Sequence, residues 1–256
     1  MSIFHAVLLG IVEGITEFLP ISSTGHLILA SDLLHIVQTP FVKSFEIAIQ
    51  LGAILAVIAL YREKLRNFAM LKTIIIAFVP TGIIGLLAHK LAKAYLLGNT
   101  SVVLVSLAIG GILLIALELR HTERGEEAGS VRDITTRQAL VIGCAQSVAI
   151  IPGVSRSAAT IAGGLALGLR RETIVEFSFL LAVPTMLAAT GFDFARSYTL
   201  FSYADLAPLA AGFITSFAIA LIAVSFLLRY IRTNTMIPFG IYRIAIACVF
   251  WLTVAY

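Results

Sequence analysis

The sequence predicts an all-α polytopic integral membrane protein, with six transmembrane helices plus two re-entrant helical hairpins in an inverted-topology repeat. Three observations carry that prediction. Of the 256 residues, 59% are hydrophobic and 12% charged, whereas a soluble domain carries about 25% charged residues and could not hide this apolar surplus. Apolar stretches close to the ~20 residues needed to cross hydrocarbon recur six times along the chain. Two shorter apolar pairs, each broken by a turn rich in Pro, Gly and Ser, stand ahead of three such stretches apiece.

The first pair begins at residue 3. Apolar residues run to 19, interrupted by Glu13 and Glu17 and closed by Pro20; after a turn at Ser22–Gly25, His26 to Leu34 gives a short second piece. Neither piece is a full span, so the two are expected to enter the bilayer and leave on the same side, with their open backbone buried in protein or lining a cavity. No basic region precedes the apolar run and no small-residue cleavage pattern follows it, so no removable signal peptide is expected.

Full spans are predicted at 43–61, 71–89 and 101–118. A polar connection then holds Glu118, Glu123, Glu126, Glu127 and Asp133 among arginines, and is expected to be a solvent-exposed loop. The second pair follows: 137–151, an interruption at Pro152 to Ser157, and a short segment to about 169. Three more spans are predicted at 173–190, 206–228 and 237–255. The organisation is therefore a first repeat at 1–118, a cytoplasmic connecting loop at 119–136 and a second repeat at 137–256. An offset of 133 residues matches Gly10 with Gly143, Glu13 with Gln146, Ser22 with Ser155 and Thr24 with Ser157. Three crossings between the hairpins give the halves opposite orientations.

Basic residues orient the chain. Arg62, Lys64, Arg66, Lys72, Arg120, Arg124, Arg132, Arg137, Arg170, Arg171, Arg229 and Arg232 fall on one side, leaving Lys43, Lys90, Lys93 and Arg196 on the other. The richer side is placed in the cytoplasm, so both termini and the opening of the first hairpin face outward. The net charge of +4 lies in short loops beside membrane segments, which lipid headgroups explain better than nucleic acid; no nucleic-acid partner is expected. Cys144 and Cys248 lie singly in apolar segments and are expected to be buried thiols.

Several polar groups in the apolar segments call for a reason. Glu13 and Glu17 are four apart and share a helix face, where their charges repel unless a proton, an arginine or a divalent cation intervenes. Bonding to neighbouring helices is the structural alternative, but intramembrane carboxylates are functional candidates by default. Ser22 or Ser23 can cap the second half-helix, whose free N–H groups favour an anion. Ser23 and His26 are three apart, close enough for the imidazole to take the hydroxyl proton or to protonate a leaving oxygen; the alternative is an ordinary cap beside a satisfied histidine.

The second interruption, PGVSRSAAT at 152–160, adds a tight turn at Gly153, hydroxyls at Ser155 and Ser157, and Arg156, whose planar fork matches phosphate oxygens. Arg156 is equally able to pair with Glu13 or Glu17 across the halves. If the broken ends meet, Arg156, Ser22, Thr24, Ser155, Ser157 and Thr160 form a candidate phosphate-binding set. Glu13 and Glu17 are expected to hold Mg²⁺ or Ca²⁺, hard cations that take oxygen ligands. Glu46 and Gln50 share a helix face and are expected either to line the cavity entrance or to bond between helices. Glu176 is expected to cap or end the fourth full span, and Arg243 to hold helices together or reach an interface. Gly82, Gly85, Gly110, Gly111, Gly163, Gly164 and Gly168 suggest close helix packing, and the aromatic residues lipid-facing or interfacial bulk.

EGITEFLPISSTGH at 13–26 and PGVSRSAAT at 152–160, with FEIAIQLGAILAV at 45–57, resemble the bacitracin-resistance family of undecaprenyl pyrophosphate phosphatases over essentially the whole chain. The resemblance implies removal of the terminal phosphate from a C55 polyisoprenyl diphosphate, divalent-metal dependence, and an active site opening to the outer side of the bacterial cytoplasmic membrane. It implies roles for Glu13, Glu17, Ser23, His26 and Arg156. The favoured expectation is attack by Ser23, its proton managed by His26 or a carboxylate; attack by His26 or by water stays open. A lipid-phosphate flippase is the alternative reading, since broken inverted repeats also build transporters. Membrane lipids are expected partners, and a homodimer is left open.

Overall fold

A computed structural model describes residues 1–96, 99–121, 130–197 and 205–254. Glu123, Arg124, Glu126 and Glu127 of the expected connecting loop lie outside the described residues, as do the side chains of Lys90, Lys93 and Arg196. Every regular element among the described residues is helical.

Ser2 caps α1 (Ile3–Thr16), accepting a hydrogen bond from the His5 N–H. The helix dissolves into a turn before Pro20, which lacks an N–H and disfavours helix at the residue preceding it. Ser22 then caps α2 (Ser23–Leu33). Thr39 caps and Pro40 opens α3 (Pro40–Leu65), which kinks at Tyr61. Asn67 caps α4 (Phe68–Tyr95), and Asn99 caps α5 (Thr100–Arg120). A reciprocal box between Thr135 and Gln138 starts α6 (Thr136–Ser147). A 3₁₀ turn and the Pro152–Gly153 bend lead to α7 (Arg156–Ala166), capped by Ser155. Then come α8 (Arg171–Ser197), α9 (Leu206–Tyr230) and α10 (Ile237–Val254).

Five helices, α3, α4, α5, α8 and α9, are long and apolar enough to cross a membrane. The outside of the bundle is apolar too: Leu86, Leu87, Ile112, Ile222 and Phe226 all stand exposed. The protein is an all-α polytopic membrane protein. Helix α1 packs along α9 and α6 along α4, while α3 meets α8 and α5 meets α10. These contacts pair the first half with the second at every level of the bundle.

Glycines set two of the crossings. A Cβ on Gly10 would lie 2.6 Å from the Gly212 carbonyl oxygen in α9, and one on Gly143 would lie 2.0 Å from the Ala77 carbonyl oxygen in α4. The residues matched at the 133-residue offset thus occupy corresponding helix crossings. Gly110, Gly111, Gly163 and Gly164 are packed tightly as expected, but Gly82 and Gly85 are not. A Cβ on Gly85 would meet nothing within 4 Å, and one on Gly82 only Phe78 of its own helix. Gly168 instead ends α7 in the left-handed region, at φ 77°.

Other expectations need correcting. Cys144 and Cys248 are exposed, because an apolar pattern does not separate core from lipid-facing surface when both solvents are oily. Glu118 belongs to the buried end of α5, not the loop, and accepts from Arg171 Nε at 2.5 Å. Glu176 neither caps nor ends α8; it lies within the helix and pairs with Lys64 of α3. Phe18, Phe45, Phe177 and Phe179 are fully buried core rather than lipid-facing bulk.

Candidate active site

The turns preceding α2 and α7 share an unusual backbone. Ser22 (φ 75°) and Ser155 (φ 72°) are two of the three non-glycine residues with positive φ among the described residues. A side chain is strained there, and both serines are N-caps whose hydroxyls accept from an N–H three residues on, Gly25 at 3.3 Å and Ala158 at 3.2 Å. The same geometry makes Ser23 the first residue of α2 and Arg156 the first residue of α7. A hydroxyl and a guanidinium therefore stand at corresponding positions beside two helix N-termini.

Glu17 joins them. Its Oε2 accepts from Ser23 Oγ at 2.5 Å, and its Oε1 accepts from Arg156 Nη2 at 3.3 Å and Nε at 3.4 Å. Arg156 Nη1 donates to the Ser178 carbonyl at 2.9 Å, and the guanidinium lies over the Phe18 ring at 5.9 Å. Three of five guanidinium protons are engaged, and two remain for an anion.

A cavity of about 490 Å³ opens on this group. Glu17, Ser22, Ser23, Thr24, Ser155 and Arg156 form its polar end, with Gln50 and Gln146 beside them. Of the remaining expected site residues, none lines the wall. Glu46 Oε1 accepts from Ser31 and Gln38, each at 3.2 Å, so its interhelical role is the one observed. Ser157 donates to the Leu19 carbonyl at 2.9 Å, which leaves Ser155 to donate to Ser157 at 3.0 Å. Thr160 Oγ1 lies 3.1 Å from Gln146 Oε1 and 2.9 Å from the Arg156 carbonyl.

The expected contact between His26 and Ser23 is not made. His26 Nδ1 lies 2.7 Å from the Ser22 carbonyl, which can only accept, so this nitrogen carries the proton. Nε2 faces the Tyr242 hydroxyl at 2.8 Å, with the two rings stacked. Spacing within one helix allowed the Ser23 approach, but the turn carbonyl and a tyrosine from α10 claim both ring nitrogens.

Glu13 sits one turn behind Glu17, fully buried, and neither of its oxygens has a hydrogen-bond partner. Its counterpart Gln146 is saturated: Nε2 donates to Thr81 at 3.0 Å and Thr185 at 3.1 Å. Burying a carboxylate without partners is costly, so Glu13 has unspent capacity for a proton or a hard cation. No group of three or more His, Cys, Asp or Glu residues able to hold a metal occurs among the described residues.

Arg243, expected to hold helices together or to reach an interface, ties both turns together. Fully buried in α10, its guanidinium donates to the carbonyls of Pro20, Gly153 and Val154 at 3.0–3.1 Å and of Ser106 and Leu107 at 3.2–3.3 Å. Gly110 leaves room for it, since a Cβ there would lie 2.2 Å from Nη2.

A family model described as bacitracin resistance protein BacA matches residues 6–249. The chain belongs to that family. An undecaprenyl-diphosphatase of Aquifex aeolicus is 53% identical over 98% of both chains. One of Sulfurihydrogenibium is 49% identical over 98% of this chain and 99% of its own, and one of Methanococcus aeolicus 46% identical over 95% of each. The BacA match takes in both capped turns and the Glu17 bridge between them.

Proposed function

We propose that this member of the BacA family hydrolyses undecaprenyl diphosphate to undecaprenyl phosphate and inorganic phosphate, recycling the lipid carrier of cell-wall polymers. The observation that carries the reading is one carboxylate, Glu17, bonded to a serine hydroxyl and an arginine at the mouths of two helix N-termini. Nucleophile, base and cation thus converge where a terminal phosphate would be held, and a relative 53% identical to this chain bears the undecaprenyl-diphosphatase name.

In this mechanism Ser23 Oγ attacks the terminal phosphorus as Glu17 takes its proton. The bond from that phosphorus to the bridging oxygen breaks, and the isoprenyl monophosphate departs with the electron pair. Arg156 shifts from Glu17 toward the phosphoryl oxygens, offering its two spare protons to the charge that develops there. Ser22 and Thr24, together with the N–H groups of α2, bind the other oxygens. Glu17 passes its proton to the departing monophosphate and then takes one from the water that attacks the phosphoserine. The bond from phosphorus to Ser23 Oγ breaks, Glu17 returns the proton to that oxygen, and inorganic phosphate leaves. His26, held from Ser23 by its two partners, acts by fixing the Ser22 turn.

The two orphaned Glu13 oxygens fit a hard cation, and Mg²⁺ commonly takes one or two carboxylates plus phosphate oxygens and water. Glu13 and Glu17 would hold Mg²⁺ or Ca²⁺. Such an ion supplies charge neutralisation on the diphosphate.

We read the architecture as six crossings, α10 being the sixth, with α1–α2 and α6–α7 as re-entrant hairpins of two inverted repeats. The exchange of partners between α1–α9 and α6–α4, and the matched Ser22 and Ser155 caps, support this. The pairs Lys64–Glu176, Arg171–Glu118 and Arg232–Glu172 draw cationic residues expected in the cytoplasm together with acidic ones. This grouping supports a cytoplasmic end there, in the inner membrane, with the site opening to the opposite side.

The test is phosphate release from undecaprenyl diphosphate by purified protein in detergent with Mg²⁺ or Ca²⁺, beside folded Ser23→Ala and Arg156→Ala variants. Release by the wild type, lost in both variants, is the expected result. No release from folded, metal-loaded wild type would sink the reading and favour lipid transport.

A further inference from the structure

The serine caps match across the two halves, but the residues one helix back do not. Glu13 has two carboxyl oxygens without partners, whereas its counterpart Gln146 is held on every side. Gln146 Nε2 donates to Thr81 of α4 at 3.0 Å and to Thr185 of α8 at 3.1 Å, and Oε1 accepts from Thr160 of α7 at 3.1 Å. One buried amide in α6 thus joins three other helices.

The threonines fix which way the amide points. Thr81 gives its one proton to the Gly143 carbonyl at 2.9 Å and Thr185 to the Leu181 carbonyl at 2.7 Å, so both hydroxyl oxygens only accept. The amide must turn its two N–H groups toward them, and a carboxylate such as that of Glu13 would face two acceptors here. Thr160 shares its proton between Gln146 Oε1 and the Arg156 carbonyl at 2.9 Å. Although Gln146 lines the cavity, it has no donor left for an anion. It is not a phosphate ligand.

We propose that Gln146 is a positioning residue that aims Arg156 into the cavity. The inference rests on the phosphatase reading for what Arg156 grips there. Arg156 opens α7, and its guanidinium is braced on α8 at the Ser178 carbonyl. Gln146 ties the same turn of α7 to α8 at Thr185, about two helical turns farther along. Backbone and tip of Arg156 are therefore both registered against α8. Without the amide, the first turn of α7 is free to shift on α8, and the guanidinium loses its line to Glu17 and to the phosphoryl oxygens. Glutamines also join membrane helices as simple glue, and the two roles differ in whether the loss depends on Arg156.

The experiment uses the full chain in detergent and compares Gln146→Leu, Thr185→Val and Thr190→Val, with Gln146→Leu and Thr185→Val made again in an Arg156→Ala background. Each of the three threonines keeps its backbone carbonyl when the amide is gone, so Gln146→Leu should fold; elution and melting point check this. Thr190, also in α8, has a buried hydroxyl without a partner, which makes Thr190→Val the control. Three constants are read: kcat and KM for C55 isoprenyl diphosphate hydrolysis, and Kd for C55 isoprenyl monophosphate, which needs no turnover. For Gln146→Leu we expect kcat to fall about 10–100-fold with KM moving less, and Kd to rise at least roughly fivefold. Thr185→Val should shift the same constants in the same direction by less, and Thr190→Val should stay within about twofold of wild type. In the Arg156→Ala background, Gln146→Leu should change Kd by less than about twofold. A folded Gln146→Leu with kcat and Kd near wild type, or an equal loss of affinity with and without Arg156, would overturn the proposal. If Gln146→Leu fails to fold, the Thr185→Val pair decides by the same comparison. Wild type that binds the monophosphate but releases no phosphate would remove the phosphatase reading and leave Gln146 to be judged on Kd alone.

Discussion

Ser23 Oγ donates to Glu17 Oε2 at 2.5 Å, while the other oxygen of the same carboxylate accepts from Arg156. In the proposed mechanism this geometry aligns a base on its nucleophile through a cation that also lines the cavity. Glu17→Gln preserves the size of the side chain but removes its ability to take the proton. Its kcat should fall about 10²–10⁴-fold, with KM much less affected. Steady-state kinetics on undecaprenyl diphosphate check this; a kcat near wild type would remove Glu17 as base.

Tyr242 separates two roles for His26. If the imidazole only fixes the Ser22 turn, Tyr242→Phe deletes one neutral hydrogen bond, at about 0.5–1.5 kcal/mol of stability. We expect a small drop in melting point and an unchanged pH profile of kcat. A displaced acidic or basic limb in that profile would restore His26 to the proton-transfer chain.

Glu13 carries the metal expectation. Chelation should lower phosphate release, and added Mg²⁺ or Ca²⁺ should restore it. Glu13→Gln keeps the shape but loses the charge that attracts a cation, so half-maximal activation should need about tenfold more metal or beyond. A metal titration is the check. An activation curve identical to wild type would leave Glu13 with a proton-holding role alone.

Arg243 should matter to assembly. Arg243→Met removes the donor to five carbonyls, of which those of Pro20, Gly153 and Val154 lie in the two turns and those of Ser106 and Leu107 in α5, and each buried acceptor left unsatisfied costs about 1–3 kcal/mol. The variant should melt far below wild type and lose monodisperse elution. Gly110→Ala should give a milder version of the same defect, because its Cβ collides with the Arg243 guanidinium. A melting point unchanged in both variants would contradict the clamp.

The apolar and polar pattern of the chain carried most of the fold, because helices in lipid must satisfy their own backbone and the full spans are long and uniform. The match of Ser22 with Ser155 was legible by alignment, though a cap was expected only at Ser22 or Ser23; both serines are caps and share a backbone conformation rare for serine. Sequence spacing failed where contacts are long-range. It placed Ser23 beside His26, three residues away, whereas the observed partner of Ser23 lies across the turn at Glu17, and His26 is claimed by Tyr242, 216 residues distant. Arg243 gave no stronger signal than an arginine in an apolar run, since its partners are backbone carbonyls with no side-chain signature. Burial of the cysteines was misread because lipid and core select the same residue types.

The most direct test of the account is an acid-quenched single turnover with substrate labelled in its terminal phosphate. The account predicts acid-stable label on Ser23 that rises and decays as inorganic phosphate appears, and no such label in Ser23→Ala. Turnover without labelled protein, or label that acid removes as it would from a histidine, would contradict attack by Ser23.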